Sequence, residues 1–325
     1  MPIIPSHFQT NHFLQNGHTQ TLLAKFWPRT TVLNIKRQRL ELADGDFIDC
    51  DWVGGDGPIV VVLHGLEGSI HSHYIQGILQ ALSAHNYRAV VMHFRGCSGT
   101  PNRLARAYHS GDTQDLAALI AHLKQHHPHT PLYAIGYSLG GNVLLKWLGE
   151  EKEAAPLSAA VAVSVPYQLA SCVAQLNQGM LKMYQHRFVQ QLKLKMAQKI
   201  SMQQLAHLQH HLEKISTLHE FDDKITAPLH GFKDAIDYYT QSSCYAFLKH
   251  VSIPTLLLHA MDDPMIPPHV IPDARDLSQA VTLERSKHGG HVGFIHLDSN
   301  LKMQFYLEHR IPEYFNHTRT NNHFK

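Results

Sequence analysis

The sequence has little of what would mark a nucleic-acid partner, a disulfide scaffold or a membrane span. Lys and Arg number 28 against 26 Asp and Glu, a formal net charge of +2 over 325 residues. A nucleic-acid partner would call for a basic patch or stripe, so none is expected. Only four cysteines occur, Cys50, Cys97, Cys172 and Cys244, widely spaced and without a C-x-x-C pair. In a chain of this size they read as reduced thiols of a cytoplasmic protein. Met1 to Gln20 has no basic flank followed by an apolar run, so no secretory signal is expected. No apolar stretch approaches the roughly 18 residues of a transmembrane helix. Nothing in the sequence speaks to oligomeric state.

Charged residues are also scarce, at 17% against about 25% in average globular chains. Histidine fills part of the gap, with 28 copies. They are scattered, and none sits beside Cys or Glu at a recognised ligand spacing. They read as surface or core histidines, and neither a metal nor an organic cofactor is expected. Hydrophobic residues are 44% of the chain, enough to build a core and too many for a mainly disordered chain.

Residues 1–38 read as an irregular segment. Arg39 to Ala43 and Phe47 to Val53 alternate around Asp44-Gly45-Asp46, which predicts a β-hairpin. Ile59 to Leu63 is a continuous apolar run, as expected of a strand buried on both faces of a parallel sheet. Strand and helix patterns then alternate. Helical spacing at Ile75, Ile78, Leu79 and Leu82 precedes a strand from Ala89 to Phe94. Spacing at Leu116, Leu119, Ile120 and Leu123 precedes one from Leu132 to Ile135. A helix from Asn142 to Leu148 leads to a strand from Ala159 to Val165. This order predicts an α/β fold with a mostly parallel, doubly wound sheet and right-handed crossovers.

Residues 167–249 break the rhythm. They hold no convincing strand and carry helical spacing such as Met183, Phe188, Leu192 and Met196. They read as a helical cap inserted between core segments 39–166 and 250–325. Strands resume at Thr255 to Leu258 and Val281 to Leu283, and a final helix starts near Arg310 before a frayed tail. The cap cations Lys182, Arg187, Lys193, Lys195 and Lys199 read as a solvated helix face. Peripheral contact with lipid or an amphiphilic ester is the sharper alternative.

Four segments at predicted strand ends carry chemistry. Gly136-Tyr137-Ser138-Leu139-Gly140 is a G-x-S-x-G between a strand and a helix. That context suits a nucleophile elbow, a sharp turn that raises the serine hydroxyl above the sheet. His64-Gly65-Leu66-Glu67-Gly68 follows the Ile59 strand. The loop at this place supplies one backbone N–H of an oxyanion hole, and the residue after the nucleophile supplies the other. Those donors are Leu66 and Leu139. Asp262 and Asp263 follow the Thr255 strand, and His288 and His291 follow the Val281 strand. A serine hydroxyl needs an imidazole base, and the imidazole needs a carboxylate to fix its tautomer. The chain order Ser, Asp, His is that of elbow hydrolases.

On these residues the chain resembles the α/β-hydrolase superfamily, and within it the AB hydrolase 4 family of YheT-like esterases. The resemblance spans about residues 39–310. It also rests on Met92-His93-Phe94-Arg95-Gly96-Cys97-Ser98-Gly99, Tyr108-His109-Ser110-Gly111, Glu220-Phe221-Asp222-Asp223 and Asp237-Tyr238-Tyr239. It implies a charge-relay triad and esterase chemistry. The superfamily places the acid four residues before a proline, which matches Asp263 with Pro267, while Asp262 stays open as the alternative. Its Gly-His pair matches His291, leaving His288 as a loop hydrogen-bonding group. Arg95 to Gly99 matches a structural turn, although Cys97 within it could be a thiol nucleophile.

The expected function is therefore hydrolysis of a small-molecule carboxylic ester, short- to medium-chain or monoacylglycerol-like, by Ser138, His291 and Asp263. Two alternatives are an acyltransferase using the same triad and a non-catalytic binding module on a hydrolase scaffold.

Overall fold

A computed structural model describes residues 2–27, 33–203 and 205–322. Five apolar segments form its central strands: β4 (Ile59–Leu63), β5 (Arg88–Met92), β6 (Leu132–Tyr137), β7 (Ala159–Val163) and β8 (Thr255–Ala260). They belong to a nine-stranded sheet in the order β1-β9-β8-β7-β6-β4-β5-β3-β2. Its other members are β1 (Ile3–Pro5), β2 (Lys36–Glu41), β3 (Phe47–Val53) and β9 (Val281–Ser286). β2 and β3 form the predicted hairpin, and β3 runs antiparallel to β5. The remaining pairs are parallel. A small hairpin, β10 (Ile295–Leu297) with β11 (Met303–Phe305), stands apart.

The double winding is visible in β4. Ile59, Val61 and Leu63 pack into one apolar layer with α3 (Gln114–His126) and α4 (Leu139–Glu151), whereas Val60 and Val62 point into the opposite layer. That second layer is covered by α2 (His73–Ala84) and α11 (Tyr306–Asn322). A strand sandwiched this way has no polar face, which is why it reads as an unbroken apolar run. The predicted faces of α2 and α3 are the buried ones. The four cysteines are free and buried.

Residues 169–242 form a third apolar cluster of their own. It comprises α5 (Leu169–Gln175), α6 (Leu181–Gln203), α7 (Gln209–Lys214), α8 (Leu218–Phe221), a π-helical turn (Asp222–Thr226), α9 (Ala227–His230) and α10 (Ala235–Ser242). Among the described residues no helix is long and apolar enough to cross a membrane.

Three expectations are corrected. The described part of the first 38 residues is not irregular: β1 pairs with β9, and α1 (Gly17–Phe26) follows, its first turn capped by the Asn16 side chain. The signal was weak because α1 buries polar residues, Gln20 and Thr21, rather than an apolar stripe. Met183 does not share a buried face with Met196; it is exposed. The cap cations do not all face solvent. Lys182 and Arg187 are exposed, but Lys195 is largely buried and Lys199 is fully so. The Lys199 ammonium donates to Asn102 Oδ1 at 2.7 Å and to the carbonyls of Leu104 and Arg106. Burial pulls its pKa down to about 8. The predicted tail beyond Asn322 lies outside the described residues.

Candidate active site

Ser138 sits between β6 and α4 with φ +51° and ψ −118°. That left-handed backbone is costly for a residue with a side chain. Close approach on both sides makes small neighbours necessary. A Cβ on Gly136 would lie 2.5 Å from the Gly140 carbonyl oxygen, and one on Gly140 would lie 2.6 Å from that of Leu63. The Ser138 N–H donates to the Val163 carbonyl at 2.8 Å, tying the turn to β7. The N-terminus of α4 begins one residue later, which favours negative charge beside the hydroxyl.

His291 lies 2.9 Å from that hydroxyl through Nε2. Its Nδ1 lies 2.8 Å from Asp263 Oδ2. The Asp263 side chain is fully buried, and its other oxygen accepts the Met265 N–H at 2.9 Å. A buried carboxylate cannot donate to a neutral imidazole, so Nδ1 carries the proton and Nε2 is left to accept from the serine.

Asp262 and His288 form a separate pair. Asp262 Oδ2 is 3.4 Å from His288 Nδ1, and Oδ1 accepts the Gly290 N–H at 2.9 Å. Three consecutive amides are in fact held by side-chain oxygens. Gly290 donates to Asp262, His291 donates to Thr21 Oγ1 at 2.9 Å, and Val292 donates to Ser164 Oγ at 3.0 Å. Thr21 comes from α1, a segment the sequence reading left without a role. Gln20 beside it grips the backbone of Ile295 through both ends of its amide. A polar pair buried on an N-terminal helix was the signal available.

The His64–Gly68 loop approaches from the end of β4. His64 is fully buried, and burial lowers its pKa to about 3. Its Nδ1 donates to the Gly65 carbonyl at 2.8 Å, and Nε2 accepts the Phe94 N–H at 3.3 Å. Three loop amides are engaged: Gly65 with Tyr74 Oη at 2.9 Å, Glu67 with Tyr108 Oη at 3.0 Å, and Gly68 with the Gly65 carbonyl at 3.0 Å. Leu66 lies between the first two, and both Leu66 and Leu139 line the same cavity as Ser138 and His291.

Arg95 and Cys97 fit the structural reading of their turn. Arg95 is buried and bonds both oxygens of Asp115, at 2.8 and 2.6 Å, with further bonds to Asp44 and Asp46. Burial pushes the Cys97 thiol up to about 12, so it stays protonated and weakly nucleophilic.

The cavity above Ser138 encloses about 130 Å³ under the cap. Apolar side chains such as Leu169, Val173, Phe188 and Leu192 line most of it. Among the described residues no group of His, Cys, Asp or Glu is arranged to hold a metal ion.

Comparison with known proteins gives the family. Residues 58–296 match the family described as alpha/beta hydrolase fold. The chain is 42% identical over 310 residues to the Escherichia coli (strain K12) protein named "Putative esterase YheT", covering 92% of this chain and 90% of that one. It is 28% identical over 321 residues to the human "Phospholipase ABHD3", covering 90% of this chain and 75% of that protein. Among solved structures, the Pyrococcus furiosus esterase Pf2001 superposes with a TM-score of 0.57 at 16% identity, over 89% of this chain and 98% of that one.

Proposed function

The chain belongs to the alpha/beta hydrolase family, and from that premise we propose that it is a serine hydrolase of carboxylic esters, either short- to medium-chain or monoacylglycerol-like. The observation that carries the reading is the run of hydrogen bonds from Asp263 through His291 to Ser138. Its setting, at the floor of an apolar cavity, supports it further.

In this mechanism His291 Nε2 takes the proton of Ser138 as the oxygen attacks the ester carbonyl. Asp263 holds the imidazole in the accepting tautomer and stabilises the imidazolium that forms. The N–H groups of Leu66 and Leu139 receive the oxyanion, a preorganised pair that costs no rearrangement during reaction. His291 then protonates the departing alcohol. Water repeats the sequence on the acyl-enzyme and regenerates the serine. A cavity of about 130 Å³ is small beside the roughly 300–1,000 Å³ of drug-sized sites. That favours a short acyl chain, or one that the cap must yield to admit.

The test is hydrolysis of p-nitrophenyl esters from acetate to palmitate by the wild type and by Ser138→Ala. Turnover by the wild type and its loss in the variant support the reading, and the best chain length sizes the cavity. If neither turns over, and a fluorophosphonate fails to label the wild type, the serine is not activated and the proposal falls.

A further inference from the structure

Glu67 is the loop residue directly after Leu66, and it is held in a left-handed backbone conformation with φ +52°. A residue with a long side chain adopts this only when its surroundings fix it. Tyr108 fixes it from both ends. The Tyr108 hydroxyl accepts the Glu67 N–H at 3.0 Å and donates to Glu67 Oε1 at 2.7 Å. The tyrosine ring is itself stacked on Phe94, with centroids 5.1 Å apart.

The third member comes from the cap. Lys195 on α6 donates to the same Glu67 Oε1 at 2.8 Å and to Cys97 Sγ at 2.9 Å. The Glu67 side chain is only 6% exposed. Alone it would be a buried, unpaired carboxylate, a costly state. The cap lysine also lies 5.2 Å over the Tyr108 ring.

We propose that Lys195 is a positioning residue: through Glu67 it fixes the Leu66 N–H in the oxyanion hole, so the hole is fully formed only when the cap is seated. The inference rests on the reading of Leu66 and Ser138 given above. Lys195 also lines the cavity that holds Ser138 and His291, so the kinetics below separate positioning from substrate contact. Removing Lys195 leaves the Glu67 carboxylate to seek water, and the peptide between Leu66 and Glu67 turns with it. Displacement of an oxyanion donor is felt in the transition state, where the charge develops, more than in the bound substrate.

The experiment measures kcat and KM on p-nitrophenyl butyrate for the full chain carrying Lys195→Met, Glu67→Gln, the double substitution, Tyr108→Phe and Ser138→Ala. All are assayed at a temperature where circular dichroism finds them folded. Lys195→Met and Glu67→Gln should each lower kcat about 10- to 100-fold while KM changes little. The double variant should be no worse than the worse single one, because both break one chain of contacts. Tyr108→Phe tests the same chain without altering charge, and serves if Lys195→Met does not fold. Unchanged kcat in Lys195→Met overturns the proposal. So does a rise in KM alone, which would make Lys195 a substrate contact, and so do losses that multiply in the double variant. Ser138→Ala separates the two levels: activity surviving there sinks the serine mechanism itself, whereas its loss beside a fully active Lys195→Met sinks only the positioning role.

Discussion

Asp262 and Asp263 are consecutive residues whose carboxylates serve two different histidines. Asp263 Oδ2 meets His291 Nδ1 at 2.8 Å, while Asp262 turns to His288 and to the Gly290 amide. The pair predicts unequal costs for one change. Asp263→Asn puts an amide where a carboxylate fixed the tautomer, and kcat should fall on the order of 10³- to 10⁴-fold. Asp262→Asn keeps an oxygen for the Gly290 N–H, so its loss should stay within about tenfold. Steady-state kinetics on one short ester compares them, and the opposite ranking would hand the acid's role to Asp262.

Among the described residues Thr21 bonds to neither Ser138 nor Asp263, yet it should matter to the rate. Its hydroxyl accepts the His291 N–H at 2.9 Å and donates to the Gly17 carbonyl at 2.7 Å. Thr21→Val keeps the volume and removes both bonds. We expect a loss of about 1–3 kcal/mol in stability from the orphaned amide, and about a tenfold drop in kcat as the imidazole loses its fixed position. Thr21→Ser should restore both. Urea denaturation and kinetics on the three proteins decide the point; a Val variant as fast as wild type would mean the loop is held adequately by Asp262 and Ser164.

The sequence exposed the sheet because strands buried on both faces, such as Ile59 to Leu63, read as short unbroken apolar runs bounded by turn residues and alternating with helical patterns. Turns of distinctive composition after three strands marked Ser138, the Asp262-Asp263 pair and the His288 to His291 segment, whereas the choice of Asp263 and His291 within them came from the resemblance to the superfamily. Thr21 and Lys195 were not legible, for a shared reason. Each acts across a contact between segments far apart in the chain, Thr21 on a loop some 270 residues on and Lys195 on one 128 residues back. Local pattern marks Lys195 as one of several cations on a helix, and only the fold shows that its ammonium is buried. The same holds for Thr21, which looks like an ordinary polar residue in a polar segment.

Acid should destabilise the fold through two fully buried histidines. Burial lowers the pKa of His64 to about 3 and that of His259 to about 4. In the unfolded chain both titrate near 6.5. Between those values the unfolded state binds protons that the native state does not, so stability is lost as pH falls below about 6.5. The slope is about 1.4 kcal/mol per histidine per pH unit well inside that window. Urea midpoints at pH 7.5, 6 and 5 should therefore decline progressively, and His259→Gln should flatten the decline. An unchanged slope in that variant would mean that His259 takes up its proton without unfolding.

Asp222 should work in the opposite direction, and locally. It opens the π-helical turn of the cap and lines the cavity above Ser138. Its oxygens accept from Thr226 Oγ1 at 2.9 Å and Tyr239 Oη at 2.7 Å, yet burial dominates and raises its pKa to about 7. The unfolded carboxyl titrates near 3.9. Between these values the native cap holds a proton that the unfolded chain has lost, so this group's contribution falls as pH rises from about 4 to about 7 and is constant above. The full span is on the order of 4 kcal/mol, an upper figure if the cap relaxes around the charge. Hydrogen exchange of Leu218 to His230, corrected for the intrinsic rate at each pH, should show more protection at pH 5.5 than at pH 8. Asp222→Asn stays neutral throughout and should abolish the difference. It should also leave Ser138 chemistry intact, since no bond links Asp222 to His291 or Asp263, while shifting the preferred chain length if acyl groups reach this wall. Equal protection at both pH values in the wild type would show that Asp222 is ionised in the native cap, with Tyr239 and Thr226 outweighing its burial.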